Sequence, residues 1–385
     1  SNRGILRDFR PSQKSHTQLI YSDAWDEGLF VPDVGALRID DRTRNRTGWL
    51  PRFSPPVWTA RLTAGALTPA SGGEDEGPPT IVFYSFKGGV GRTTALAAFA
   101  IQRARAGERV LVIDFDLDAP GAGTLIPGDN GHAPLGVVDY LLEAPLGEVR
   151  IDDFVHHCKR EALVGEAGGE IVVMRAGQVD EDYLAKLSRL DLEIRGNEHP
   201  LKALLLQARA EVQPNWILID SRAGLSAAAG VLLDGIAHLH VLFGTNSAQS
   251  QLGLKQVIRN LGEERIRRDW PQARCVIVQA MVVDIVEVEK HALSQFKGWL
   301  DPTLRDHYLV ADNDDPNDEQ WAVRDQDSRG SPGEVIAVPY RVRLAFFSSI
   351  DDVANDLVAG PYVQLGERIL GNFKSVEHDG RNEVS

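Results

Sequence analysis

The sequence predicts an α/β fold: a doubly wound, mostly parallel sheet with helices on both faces, behind an N-terminal extension. Two observations predict it. Short runs that are apolar throughout, such as Ile81-Val82-Phe83-Tyr84-Ser85-Phe86 and Arg109-Val110-Leu111-Val112-Ile113-Asp114, alternate with helical patterns, and a strand with no polar side has to be covered on both faces. A glycine-rich turn joins the first of these strands to a helix, and in open parallel sheets ligands sit at such carboxyl ends of strands.

Taken in order, residues 1–50 form the extension. They hold only the short apolar pieces Leu19–Tyr21, Gly28–Val31 and Ala36–Ile39, with no complete core. Residues 1–64 carry ten basic side chains against seven acidic ones, so this stretch is mildly basic in a chain of net charge −14. Residues 51–79 turn rich in Pro, Gly, Thr and Ser, with Ser71-Gly72-Gly73 and Gly77-Pro78-Pro79 as breakers, which is linker chemistry. The main domain is expected over 80–374, with a polar tail at 375–385. Within it, strands are expected at Ile81–Phe86, Arg109–Asp114, Ile171–Met174, Trp216–Asp220, His240–Phe243, Cys275–Val278 and Val335–Val338. Helices are expected at 93–106, 136–144, 181–191, 199–212, 225–236, 249–261, 286–299 and 350–372. The acidic, Asn- and Ser-rich stretch 311–333 interrupts this rhythm and reads as a solvated loop.

Composition excludes several classes. In 385 residues, 43% hydrophobic content is ample for a core, and 41 Lys+Arg against 55 Asp+Glu argues against a protein devoted to coating nucleic acid. Two cysteines make no disulfide framework, and no zinc-ligand spacing surrounds them. His156-His157-Cys158 offers ligand types, but neighbours on one element point different ways, so no metal is expected there. No run approaches the roughly 20 apolar residues that span a bilayer. Ser1-Asn2-Arg3-Gly4 lacks the apolar core of a secretory signal, and its first two residues read as a cloning remnant. The expectation is a cytoplasmic protein without membrane attachment.

The chemistry is concentrated in Phe86-Lys87-Gly88-Gly89-Val90-Gly91-Arg92-Thr93-Thr94, between a strand and a helix. Phosphate binding needs backbone N–H groups converging at a helix N-terminus, and glycines let the chain turn that tightly. It also needs a cation for the β- and γ-phosphates and a hydroxyl for Mg²⁺. Every part is present, but relative to G-x-x-x-x-G-K-[ST] Phe86 replaces the first glycine and Arg92 the lysine. The stretch departs from K-G-G-x-G-K-[ST] only at Arg92. With it stand Asp114-Phe115-Asp116-Leu117-Asp118-Ala119-Pro120-Gly121 after the second strand, Trp216-Ile217-Leu218-Ile219-Asp220-Ser221-Arg222-Ala223-Gly224, and Val335-Ile336-Ala337-Val338-Pro339-Tyr340.

Over about residues 80–372 these motifs resemble the ParA/MinD family of P-loop ATPases with a deviant Walker A loop. The variant K-G-G-x-G-R-T followed by D-x-D-L-[DE]-A-P-G is similar to a subgroup of ParA-like modules in bacterial signalling or conflict proteins. The resemblance implies ATP and Mg²⁺ as ligands. Lys87, Gly88, Gly89, Val90, Gly91, Arg92, Thr93 and Thr94 would wrap the phosphates, Thr93, Asp220 and Asp116 would serve the metal, and Pro339 would pack beside the base. Gln279 would either contact the base or be an ordinary polar residue at a strand end. Lys87, Asp116 and Arg92 would be catalytic. Asp116 would position water, Asp114 would support the site from its strand end, and Asp118 reads as a surface or switch residue. Lys87 would reach the phosphates of a partner copy, so an ATP-dependent homodimer is implied. Guanidinium is forked and planar where ammonium is compact, so hydrolysis is expected to be slow.

Two other readings stand beside this ATPase switch. One is a nucleotide sensor that scarcely turns over and signals to a protein partner or effector. The other is a DNA-dependent positioning ATPase using a basic face at Lys255, Arg259, Arg265, Arg267 and Arg268, although Glu263 and Glu264 interrupt it. The segment 365–374 is apolar on one side, yet its two glycines and the acidic tail speak against a membrane helix.

Overall fold

The apolar runs become the strands of one eight-stranded sheet in the computed structural model of the chain. The structure describes residues 77–192, 201–233, 236–263, 273–283, 285–311 and 320–373, together with two short strands at 19–21 and 30–32. Most of the expected extension and linker, the arginines 265, 267 and 268, residues 312–319 of the acidic stretch and the tail from 374 onward lie outside the described residues.

The chain divides into two units, Ser1–Ser54 and Pro55–Ser385. In the first, β1 (Leu19–Tyr21) pairs antiparallel with β2 (Phe30–Pro32), Ile20 opposite Val31. In the second, the strands are β3 (Thr80–Ser85), β4 (Arg109–Phe115), β5 (His156–Cys158), β6 (Glu170–Met174), β7 (Trp216–Ser221), β8 (Leu239–Gly244), β9 (Cys275–Val282) and β10 (Ile336–Pro339). Their spatial order is β10-β9-β8-β3-β7-β4-β6-β5. Every pairing is parallel except β5 with β6. The mostly parallel, doubly wound fold is therefore as expected. The edge strand β5 was not expected; a three-residue strand holding two histidines carries no apolar signature.

Alternation along each strand feeds two cores. Val82 and Tyr84 of β3 face one, with Leu111 and Ile113 of β4. Ile81 and Phe83 face the other, with Val110 and Val112. The second core is covered by helix α1 (Arg92–Arg105) and, late in the chain, by α8 (Pro361–Gly371). The first is covered by α2 (Val137–Glu143), α4 (Lys202–Val212), α5 (Ala227–Leu233), α6 (Ala248–Leu261) and α7 (Val286–His307). A shorter helix, α3 (Tyr183–Leu187), joins the same layer through Tyr183.

Several element boundaries differ from expectation, each for a local reason. The helix expected at 286–299 continues to His307 through Pro302. The missing N–H costs the bond to the Gly298 carbonyl, and the full burial of Leu300 and Leu304 on either side of Pro302 offsets it. The helix expected over 350–372 is broken at Gly360, φ +56, so that α8 starts afresh with Pro361. Its Leu365 and Ile369 lie in the core, and that is where the apolar side of this segment is used. The described part of the acidic stretch is folded rather than a solvated loop: Val310 bridges Ala322, Trp321 packs on the core, and Ser331 is buried with its hydroxyl on the Gln326 carbonyl. Among the described residues no helix is long and apolar enough to cross a membrane.

Candidate functional site

The loop 86–91 leaves β3 at the carboxyl edge of the sheet and enters α1. Gly89 and Gly91 sit at φ +71 and +81, the left-handed region in which a side chain is strained. Nothing lies within 4 Å of where a Cβ would stand at either, so conformation rather than space demands glycine there. Phe86, at the usual position of the first glycine, packs on α6: a Cβ on Gly253 would fall 1.9 Å from its ring. The sequence held no signal for that pairing.

Arg92 is 7% exposed and points into a nest of acids. Its Nε donates to Asp220 Oδ1 at 2.6 Å, one terminal nitrogen to Asp116 Oδ2 at 2.8 Å, and the other to the Ser85 hydroxyl at 3.4 Å. The Thr93 hydroxyl donates to Asp220 Oδ2 at 2.6 Å. Burial works against the Arg92 charge, but Asp220 and Asp116 overcome it and hold the guanidinium above its usual value. Burial raises the Asp220 carboxyl, opposed by Arg92 and by the Thr93 hydrogen bond. One forked cation thus ties the ends of β4 and β7 to the start of α1.

Asp114, opposite Asp220 in the β4–β7 ladder, is fully buried and accepts three backbone N–H groups, from Asp116, Gly121 and Gly123. Burial first, then the neighbouring Asp220, pushes its carboxyl up to about 7 despite those bonds. It folds the segment 114–123 rather than facing a ligand, in the supporting place expected from the sequence. Asp118 does more than sit on the surface: it forms an ion pair with Arg222, linking the segment after β4 to the segment after β7. The latter is also tied to β3, Gly224 N–H to the Ser85 carbonyl and the Tyr84 hydroxyl to the Gly224 carbonyl.

Around these groups lies a cleft of about 760 Å³. Gly88, Gly89, Val90, Gly91, Arg92, Thr93 and Thr94 line it together with Asp116, Pro339 and Tyr340. Asp220 lies behind Arg92 and Thr93, and does not itself line it. Lys87 is exposed, does not line the cleft, and makes no hydrogen bond or ion pair among the described residues.

Gln279 needs a correction. It is 1% exposed and does not line the cleft; its Nε2 lies 3.4 Å from Asn246 Oδ1, and its Oε1 has no partner among the described residues. The reason is strand length: β9 runs on to Val282, so Gln279 sits mid-ladder between Gly244 and Ala337 instead of at a strand end. Met281, at φ +61 and 43% exposed, takes the lining position two residues on.

The oxygen donors of Thr93, Asp220 and Asp116 suit a hard divalent cation, and the two carboxylates are already gathered on a single positive group. Among the described residues no cluster of three or more His, Cys, Asp or Glu side chains could hold a metal alone, so a metal here would need Thr93 and other oxygens.

The family model described as the CobQ/CobB/MinD/ParA nucleotide binding domain matches residues 81–298, more than half of the chain. This chain belongs to that nucleotide-binding family. Among solved structures it is similar to a putative plasmid partition protein from Borrelia burgdorferi B31 bound to AMPPNP, at 16% identity, covering 77% of this chain and 98% of that one, TM-score 0.47. A ParA family ATPase from Chlorobium tepidum TLS matches at 15% identity over 76% of this chain and 98% of that one, TM-score 0.47. The cell division ATPase MinD of Pyrococcus furiosus matches at 19% identity over 52% and 71%, TM-score 0.37.

Proposed function

We propose that the chain is an ATP-binding and ATP-hydrolysing switch that uses Mg²⁺. One observation carries the proposal: a glycine loop at a helix N-terminus stands beside Arg92, which is held between Asp116 and Asp220 with Thr93 on the same Asp220. Backbone N–H groups of Gly88 to Thr94 would cradle the phosphates. A triphosphate offers Arg92 a second anionic partner, and its partial transfer to phosphate oxygens would free both carboxylates. Thr93 and, through water, Asp220 would then hold the metal, and Asp116 would orient the attacking water. Bound Mg²⁺ supplies charge neutralisation between the phosphates. Pro339 and Tyr340 would flank the base. Lys87, exposed and without a partner among the described residues, would complete the site of a second copy, so ATP affinity and self-association would be coupled.

The test is calorimetry on nucleotide-free protein with magnesium supplied. Binding heat for ATP is expected; no heat for adenine or guanine triphosphates rejects the proposal.

A second reading, a sensor that binds but scarcely hydrolyses and reports to a protein partner, is favoured by the 2.8 Å grip of Arg92 on Asp116. Phosphate release no faster than in Asp116→Ala would support it, and clear steady-state turnover would remove it. A DNA-positioning role finds no support in the described part of the basic face, where Arg259 pairs with Glu263.

A further inference from the structure

The segment that carries Asp116 is gripped from two sides. Asp114 folds it from below through three backbone N–H groups. From the side, the Tyr183 hydroxyl donates to the Leu117 carbonyl at 2.8 Å, one residue beyond Asp116 and one before Asp118. Tyr183 and Leu117 are 4% and 1% exposed, so water does not compete for this bond.

The tyrosine is itself held in place. It opens α3, and its ring fills a slot over Gly177, where a Cβ would come within 2.8 Å of it. One turn on, Lys186 donates to the buried Asp139 at 2.9 Å, whose other oxygen accepts the Gly136 N–H at the start of α2. Burial first, then the surrounding carboxylates of Asp114, Asp118, Asp139 and Asp116, raises the Tyr183 hydroxyl, so it remains a donor.

We propose that Tyr183 is a positioning residue for hydrolysis: its hydroxyl fixes the Leu117 peptide and thereby the place of the Asp116 carboxylate in the cleft. The inference rests on the hydrolytic reading above. Tyr183 does not line the cleft, and its hydroxyl reaches the site through the Leu117 peptide. Asp114 keeps the segment folded without it, which makes the effect of losing the hydroxyl one of aim rather than of binding.

Tyr183→Phe removes the hydroxyl and keeps the ring. Tyr140→Phe is the matched control: its hydroxyl donates to Gln207 at 2.7 Å, away from the segment. Turnover, ATP affinity and amide hydrogen exchange of residues 116–123 in the nucleotide-free protein are measured for each. Tyr183→Phe is expected to lower kcat about three- to tenfold, the scale of one buried hydrogen bond, with affinity within about twofold. Exchange in 116–123 should rise in that variant alone. Unchanged kcat or unchanged exchange overturns the inference, as does an equal loss in Tyr140→Phe or a loss of affinity in step with kcat. Should the unaltered protein bind ATP without turnover, the hydrolytic reading fails, and the exchange measurement still decides whether Tyr183 holds the segment.

Discussion

Alanine at position 92 would leave Asp116 and Asp220 buried without their counter-charge. Breaking such a pair from one side costs about 3–5 kcal/mol, because the desolvation of the remaining charge is no longer offset. We expect Arg92→Ala to lower unfolding free energy in denaturant by that order in the nucleotide-free protein. Arg92→Lys should fall between, since a single ammonium cannot reproduce two forked contacts to separate carboxylates. An unfolding curve for Arg92→Ala that overlays the unaltered one would contradict this account. The positive charge of the residue was legible in the sequence. Its partners were not, because Asp116 and Asp220 lie 24 and 128 positions away. Lys87 shows the opposite case, since among the described residues it has no partner and the fold gives nothing to report beyond its exposure.

At the scale of elements, the far edge of the sheet is as constrained as the loop edge. His238, just before β8, accepts the Thr80 N–H on its Nδ1 at 3.0 Å and so ties the start of β3 to β8. Burial first, then Arg209 and Arg274, lowers its pKa from about 6.5 to about 4. The folded state therefore binds fewer protons than the unfolded state between those values, and stability rises with pH across that window. The difference amounts to at most about 3 kcal/mol at 1.36 kcal/mol per pH unit. His238→Asn should flatten the unfolding midpoint between pH 4 and 6.5; a slope unchanged from the parent would discard the assignment. Strands of this sheet were legible because burial on both faces leaves them apolar throughout. Where elements end was less so: β9 outran its expected end at Val278 and carried Gln279 inside, α7 passed Pro302, and Gly360 split the last helix. Each outcome turns on which neighbour covers the position, and periodicity does not contain that.

For the whole molecule, the exposed Lys87 makes a test of assembly possible. Light scattering at saturating Mg-ATP is expected to show a mass twice that of the nucleotide-free chain, and Lys87→Ala is expected to stay at the lower mass. A parent protein that keeps its mass with ATP bound would rule out coupling between nucleotide and self-association while leaving binding intact.

By itself the sequence determined the sheet class, the glycine turn between the first strand of the main sheet and its helix, and the acidic residues at the strand ends, because burial of a strand and the φ demands of a glycine turn are written within a few residues of one another. Only the tertiary structure decided that Arg92 spans two carboxylates, that Phe86 lies on Gly253, that Gln279 is interior and that Tyr183 reaches the Leu117 carbonyl 66 positions away. Those contacts depend on how separate strands and helices stack, and the energy that selects them comes from neighbours that no local pattern names.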